Sequence, residues 1–489
     1  MSRRKQSNRS PRKNRGNGEP RCHQNKTLFR ALLGWVSQEA GLFPKSMFHG
    51  NIKWSPEQLV VQALIWLWQE TRRVTDAFDH ALEVCDELGM KNVAKSYTSM
   101  MNALDRYREV FVPRLRKRLQ LLAEEVGGRH WRIDGWALIA FDGSRVTAPR
   151  TVSNEQAFCA ANYGNGKRAR YGKKKSKGLR RKRNKENPPH PQAPQAWITM
   201  LWHMGLRLPW TWRLGPSNSS ERDHVKEILK EEEFPDQTLF CGDAGFIGYP
   251  LWSLIQAQGH DFLVRVGGNV NLLSEHAKVK KLGGGIVLCW PKGQMNSGGP
   301  PLRLRLVRVK VGKTKMWMLT SVLDRRQLTH KQIVRFYKMR WGIEVEYRGL
   351  KQTIDKHTLR CRNADRLLAE LDWSLYGMAV AELLALREQI AVAADDGEDP
   401  PYDPQHRSLA NTMRALRKCM RNLHKSGPKA RLSYDLSRAV VQQYNNRTNK
   451  RARYRPKNPD KKELGEPTVR KLNASERKQL NHHTASTSA

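Results

Sequence analysis

Acidic residues are scarce in this chain, and this scarcity narrows the classes of molecule that the chain is expected to bind. The 489 residues include 46 Asp and Glu against 88 Lys and Arg, which gives a formal net charge of +42. Such a global excess of positive charge suits a polyanion, because neutralising its phosphates releases their counterions. A solvated basic surface is the alternative for any single run of charge, but it does not account for the whole excess. We therefore expect a nucleic acid as partner.

The sequence also lacks paired cysteines, long apolar runs and an apolar signal segment. Its seven cysteines are scattered singly, so neither a zinc site nor a disulfide framework is predicted, and reduced cytoplasmic thiols are expected. No stretch is apolar for long enough to span a membrane, and the first ten residues are basic rather than apolar. We expect a cytoplasmic protein without a membrane partner.

Both ends of the chain are polar and basic, and helical patterns lie next to them. Residues 1–23 are predicted to be a basic disordered arm, and residues 445–489 a basic disordered tail. Residues 24–130 form an all-helical region, the expected DNA-binding region. Within it, Ser55 followed by Pro56 is typical of a helix start. Residues 401–444 are expected to be a second helical region.

Between residues 131 and 266, short apolar runs alternate with helical patterns. Residues 137–141 are predicted to form a buried strand ending at Asp142, and residues 238–242 a strand ending at Asp243. Further strands are expected at 196–203, 208–214 and 261–266, with helices at 219–232 and 249–258. This order suits an α/β fold with an RNase H-like mixed sheet, of which residues 131–266 are the first part.

Two segments interrupt or follow this pattern. Residues 267–322 are rich in glycine and alternate apolar and polar side chains, which predicts a β-strand insertion. Residues 323–400 are expected to be the second part of the core. Twelve of the nineteen residues from 167 to 185 are Lys or Arg, a density that favours electrostatic DNA contact over a merely solvated loop.

The most informative segment is the predicted helix over residues 336–351. At roughly 100° per residue, four of its side chains fall within about 60° of one another: Tyr337, Arg340, Glu344 and Lys351. Such a face suits contact with a phosphate beside a metal ion better than it suits core packing. Glu346 points about 160° away from Glu344, so only one of the two glutamates can face the same site.

The pattern Tyr-x2-Arg-x3-Glu-x6-Lys resembles the box of bacterial insertion-sequence transposases of the DDE type, in the family numbered four. All four positions match, and the neighbouring Trp341 and Ile343 are also similar to that family. The resemblance extends back to the two aspartate segments and covers about half the chain. It implies an RNase H-like core with a β-rich insertion, which agrees with the strand pattern, and a bacterial, nucleoid-associated protein.

The predicted catalytic and metal-binding residues are Asp142, Asp243 and Glu344. Three converging carboxylates repel one another unless cations lie between them, and hard oxygen ligands select Mg²⁺ or Mn²⁺. We expect two ions, as in other enzymes that cleave phosphodiesters. Each Asp-Gly or Gly-Asp pair alone is more typical of a turn. Asp134 competes with Asp142, which is preferred because an apolar strand precedes it and because Asp-Gly-Ser-x-Val-x-x-Pro resembles the family's first motif.

The resemblance also implies roles in DNA binding. Tyr337, Arg340 and Lys351 would contact phosphates near the element end. Some relatives stabilise a flipped base of a DNA hairpin on a tryptophan of the insertion. Trp290 is the candidate for that role and Trp317 the second, with a core aromatic as the open alternative for each.

The predicted function is cut-and-paste transposition of an insertion sequence, by phosphodiester hydrolysis and strand transfer at the element ends. The expected partners are double-stranded DNA, namely terminal inverted repeats and target DNA, and a second copy of the chain in a synaptic complex. Two alternatives remain: a metal-dependent DNA nuclease without strand transfer, and a catalytically dead DNA-binding protein descended from a transposase.

Overall fold

A computed structural model describes most of the chain. It covers residues 24–71, 73–158, 193–276, 278–290, 301–312, 314–396, 403–423, 432–441 and 464–487. The predicted basic arm and the basic run at 167–185 lie outside these ranges. Within them, no helix is long and apolar enough to cross a membrane. Five cysteines are described, and all are buried and free.

Five helices build the N-terminal region, as predicted. They are α1 (Gln24–Ser37), α2 (Pro56–Trp68), α3 (Val74–Glu87), α4 (Tyr97–Arg106) and α5 (Arg108–Gly127). The start of α2 follows its sequence signature, because the Ser55 hydroxyl accepts a hydrogen bond from the Gln58 amide at 3.2 Å.

Among the described residues from 137 to 266, the chain forms five strands and three helices. The strands are β1 (Ala137–Thr147), β2 (Gln195–His203), β3 (Leu208–Gly215), β4 (Thr238–Gly242) and β5 (Asp261–Val266). The helices are α6 (Val152–Phe158), α7 (Glu221–Glu231) and α8 (Tyr249–Ala257). The strands lie in the order β3-β2-β1-β4-β5, with β1, β2 and β3 antiparallel and β1, β4 and β5 parallel. This is the RNase H-like mixed sheet, so the predicted fold class is confirmed.

The β-rich insertion is also present, and it continues the same sheet. Its strands are β6 (Asn271–Ser274), β7 (Gly284–Cys289), β8 (Leu302–Val311) and β9 (Thr314–Thr320). Strand β9 pairs antiparallel with β5, which covers the edge that β5 would otherwise expose. The insertion is therefore an extension of the catalytic sheet and not a separate layer.

The prediction that residues 445–489 are disordered is wrong for residues 464–487. These form strand β10 (Thr468–Lys471) and helix α14 (Ala474–Thr487). Strand β10 pairs in parallel with β6 and so completes the far edge of the sheet. Leu472 packs with Leu273 and Leu288, so the segment is anchored by apolar contacts despite its polar composition. Residues 445–463 lie outside the described ranges.

The second part of the core is helical. It contains α9 (His330–Arg340), α10 (Gly342–Arg348), a π-helical turn (Gly349–Thr353), α11 (Ala364–Asp396), α12 (Leu409–Met420) and α13 (Leu432–Ser437). The uninterrupted helix predicted over 336–351 is thus wrong in detail. It breaks at Trp341, where the Glu344 amide donates to the Trp341 carbonyl at 3.2 Å, the spacing of a 3₁₀ turn.

Helix α11 joins the N-terminal helices to the sheet. The Trp68 indole of α2 donates to the Gly377 carbonyl of α11 at 3.0 Å, and the Phe111 ring of α5 lies 6.0 Å from that of Trp373. The buried residues of these helices belong to the same hydrophobic cluster as those of the sheet. The N-terminal helices therefore serve as scaffold for the core, and their DNA-binding role stays a prediction.

Strand β1 does not end at Asp142, as was predicted, but runs on to Thr147. It pairs with β4 only as far as Ala140, which lies opposite Cys241, while its pairing with β2 continues through Asp142, opposite Met200. The antiparallel ladder supplies the hydrogen bonds that a turn at Asp142–Gly143 would forfeit. Asp142 therefore has the rigid support of a strand.

Gly342 fixes how closely α10 approaches the sheet. A Cβ atom at this position would lie 2.1 Å from Cη2 of Trp202 on β2. The indole is rigid and buried, with its Nε1 donating to Glu346 of α10 at 3.3 Å, so it cannot yield easily. The helix can lie this close to β2 only because residue 342 has no side chain.

We predict that Gly342→Ala destabilises the protein by roughly 1–3 kcal/mol, the usual effect of overpacking a core. The measurement is the free energy of unfolding in urea.

Gly34→Ala is the matched control, since Gly34 is also helical and its Cβ would meet only the flexible Gln38 side chain, at 3.1 Å. This variant should be unchanged or slightly stabilised, by up to about 1 kcal/mol of helix propensity. Equal stability of the two variants would contradict the proposed close approach of α10 to Trp202.

Candidate active site

The two predicted aspartates come from adjacent parallel strands. Asp142 lies two residues beyond Ala140 on β1, and Asp243 two residues beyond Cys241 at the end of β4; Ala140 and Cys241 are paired. The pKa of Asp142 is raised to about 6, first by burial and then by the charges of Asp243 and Glu344, against the opposing effects of the Gly143 amide and Arg340. The three carboxylates are therefore close enough to interact electrostatically.

Arg340 contacts the third carboxylate, that of Glu344, and lies near the two aspartates. Its Nη2 donates to Glu344 Oε1 at 3.0 Å, and its guanidinium lies 5.6 Å from the centre of the Tyr337 ring. Burial by itself would lower the pKa of Arg340, but Tyr337, the hydrogen bond to Glu344 and the charges of Asp142 and Asp243 outweigh it and raise that pKa. Arg340 thus links α9 to all three carboxylates.

Glu346 faces the opposite side of α10, as the helical geometry predicts. It is buried and accepts a hydrogen bond from the Trp202 indole, whereas Glu344 keeps a third of its side chain exposed. Glu344 is therefore the glutamate that is available at the site.

Lys351 also lies next to the strand that carries Asp142, although the helix breaks at Trp341 and Lys351 itself belongs to the π-helical turn. Its amine donates to the Ser144 hydroxyl at 2.8 Å, two residues along β1 from Asp142, and burial lowers its pKa. Tyr347, which the sequence analysis did not single out, donates from its buried hydroxyl to the Asp142 carbonyl at 2.8 Å. It ties α10 to the strand that presents Asp142.

Three further predicted residues lie in other surroundings. Trp290 is buried in the small cluster of the insertion with Leu273, Leu288 and Leu472. Trp317 is buried in the main core. Asp134, the competitor of Asp142, occupies a turn before β1 with a φ of 52° and pairs with Arg335 at 3.2 Å.

Glu221 is the residue that sequence reasoning missed. It lies in the first turn of α7, and burial together with the charges of Asp142 and Asp243 raises its pKa to about 7. The only local signal was the helix-capping Ser220 before it. Its proximity to the aspartates depends on how α7 packs on β1 and β2, which no local pattern reveals.

The chemistry of the site fits a divalent cation, although the ligands are not arranged as a finished set. Within the described ranges, no group of three His, Cys, Asp or Glu side chains has the geometry to hold a metal. Each carboxylate is instead held locally: Asp142 by the Gly143 amide at 2.9 Å, Asp243 by the Gly245 amide at 2.7 Å, and Glu344 by Arg340. Hard oxygen donors that repel one another are nevertheless what Mg²⁺ or Mn²⁺ would neutralise.

Comparisons with known proteins agree with this geometry. Residues 200–375 match the family profile of the transposase DDE domain. This range includes Asp243 and Glu344 and begins after Asp142. The chain is 25% identical over 273 residues to the transposase InsG of insertion sequence element IS4 from Escherichia coli K12, a match that spans 54% of each protein.

The chain resembles the DDE transposases of insertion-sequence family four. That prediction is confirmed, and the chain spans about half the length of the curated relative. A cryo-EM structure of the piggyBac transposase synaptic complex with hairpin DNA also aligns, with a TM-score of 0.41 and 12% identity over 86% of this chain and 87% of that one. The order of the strands, and not this likeness, identifies the fold.

We predict that the metal-free protein loses stability as the pH rises from about 4 to about 7. The pKa values of Asp142 and Glu221 rise on folding from 3.8 to about 6 and from 4.5 to about 7. In that window the folded state holds protons that the unfolded state has released, so rising pH favours unfolding. For Asp142 the loss is on the order of 2–3 kcal/mol, and it is smaller for the more solvated Glu221.

The measurement is urea unfolding at pH 5 and pH 8 in the presence of a chelator. Asp142→Asn should reduce the difference between the two pH values, and Mg²⁺ should restore stability at pH 8. The same pH dependence in the wild type and in Asp142→Asn would contradict the electrostatic coupling.

Proposed function

We propose that this protein is a transposase that moves an insertion sequence by cutting and joining phosphodiesters at the element ends. The observation that supports it most strongly is the juxtaposition of Asp142 and Asp243, on paired parallel strands, with Glu344, which Arg340 holds beside them. The match to the transposase DDE domain and the likeness to an insertion-sequence transposase support the same activity.

Asp142, Asp243 and Glu344 are proposed to hold two Mg²⁺ or Mn²⁺ ions. Bound there, the ions would activate the attacking hydroxyl and stabilise the leaving 3′ oxygen. The residues of the chain fix the positions of the three carboxylates. The β1–β4 ladder fixes the aspartates relative to each other, and the Tyr347 hydroxyl fixes the backbone of Asp142 from the helix side. Glu344 keeps its orientation through Arg340, so the carboxylates remain together when their charges repel.

Tyr337, Arg340 and Lys351 are proposed to bind DNA phosphates beside the carboxylates. Arg340 has a buried Nε–H without a hydrogen-bond partner among the described residues. Lys351 gives one hydrogen bond to Ser144 and retains further N–H donors. A phosphate between these two cations would gain charge-assisted hydrogen bonds while remaining next to Asp142.

The substrates are proposed to be the terminal inverted repeats and target DNA, with two copies of the chain holding two ends together. The net charge of +42 supports a DNA partner through counterion release. Trp290 remains a candidate for base stacking. It would have to leave its apolar cluster, which includes Leu472 of the C-terminal segment.

We predict that Asp243→Asn and Glu344→Gln each lower cleavage at element ends at least about 100-fold, since a lost metal ligand removes several kcal/mol of transition-state stabilisation. The assay uses a supercoiled plasmid carrying the element's own inverted repeats, with Mg²⁺, and scores cleaved and joined products separately.

Asp236→Asn is the matched control, because Asp236 is exposed and precedes the opposite end of β4. It should cleave like the wild type. Unchanged cleavage by Asp243→Asn would contradict the catalytic assignment, whereas nicked DNA without joined products would favour a nuclease. Binding of the repeats without cleavage by the wild type would favour a catalytically dead DNA-binding protein.

A further inference from the structure

The Glu221 carboxylate occupies space that Gly143 leaves open beside the aspartates, and it lies close to Gly245 as well. A Cβ atom on Gly143, the residue after Asp142, would lie 2.5 Å from Glu221 Oε1. A Cβ atom on Gly245, two residues after Asp243, would lie 3.8 Å from Glu221 Oε2 and 3.0 Å from Asp243 Oδ1. The carboxylate therefore reaches from α7 into the gap between the two loops or strands that present the aspartates.

No protein group explains why an acidic side chain lies there. In the described part of the chain, Glu221 makes no ion pair within 4 Å and its carboxylate accepts no hydrogen bond. The charges of Arg145 and Arg222 oppose the rise in the pKa of Glu221, but the contacts of both arginines are with other groups: Arg145 lies 4.4 Å from the centre of the Trp197 ring, and Arg222 donates to the Ile247 carbonyl at 3.0 Å. The carboxylate is partly buried beside like charges without a partner, an arrangement that costs free energy unless a cation binds.

The charges of the site also favour binding of a cation. Asp142, Asp243 and Glu344 carry three negative charges, of which Arg340 compensates one. Glu221 adds a fourth. With Arg340 counted, three negative charges remain for divalent cations to neutralise, and the extra oxygens raise the number of ligands available to each ion.

We propose that Glu221 is a fourth carboxylate ligand of the catalytic metal site, shared with Asp142 and Asp243. This inference rests on the proposed function, because it assigns a further ligand to the same ions. Gly143 is part of the arrangement, since it lets a side chain from α7 reach a site otherwise built by β1, β4 and α10.

The test is Mn²⁺ binding to the full-length protein at pH 8, above the raised pKa of Glu221, measured by titration calorimetry and by the EPR signal of free Mn²⁺. Glu221→Gln keeps the shape of the side chain and should weaken Mn²⁺ binding at least about tenfold, or remove one bound ion per chain. The control is Glu227→Gln on the same helix, whose carboxylate pairs instead with Arg213 at 2.7 Å. Glu227→Gln should bind Mn²⁺ like the wild type.

Gly143→Ala gives a second, independent variant, because its methyl group would displace the Glu221 carboxylate without removing any ligand. It should weaken Mn²⁺ binding as Glu221→Gln does, with an unchanged circular dichroism spectrum.

Asp243→Asn distinguishes failure of the Glu221 proposal from failure of the proposed three-carboxylate metal site. If it weakens Mn²⁺ binding while Glu221→Gln and Gly143→Ala do not, Glu221 is no ligand and the three-carboxylate site stands. If none of the three variants changes binding, the proposed metal site itself is wrong.

Discussion

Repulsion between carboxylates is the constraint on which the rest of this structure depends. Asp142, Asp243, Glu344 and Glu221 are held in one partly buried place, where burial and then like charges raise the pKa of Asp142 and Glu221. A flexible scaffold would let them separate. Here a parallel strand pair fixes the aspartates, a guanidinium holds one glutamate, and a helix start presents the other. The fold stores electrostatic free energy that a divalent cation would release on binding.

Local sequence patterns were enough to predict the frame of this site. Apolar runs that precede Asp142 and Asp243 indicated buried strands. The first residues of both strands, Ala137 and Thr238, lie where these runs begin. The helical spacing of Arg340 and Glu344 predicted that they share one face, and the structure shows a hydrogen bond between them. These features are short-range, so propensity and periodicity determine them.

The features that could not be predicted depend on long-range contacts. Strand β1 continues past Asp142 because β2 pairs with it, and the paired residues of β2 lie 48 to 56 positions further along the chain. The polar C-terminal segment is ordered because β6 offers it an edge. Glu221 approaches the aspartates because Gly143 has no side chain to exclude it. In each case the outcome depends on a residue that is distant in sequence, or on a glycine that has no Cβ atom.

The two faces of α10 show how the position of Glu344 is maintained. On the rear face, burial and then the neighbouring carboxyl of Glu382 on α11 raise the pKa of Glu346. Arg207 and Arg407 face the same pair and offset its charge. A buried polar group of this kind has few alternative partners, so any rotation or shift of α10 would leave it unsatisfied. The helix that presents Glu344 to the repelling carboxylates is therefore held from behind by a second set of charges, which resists the displacement that repulsion at the front would otherwise cause.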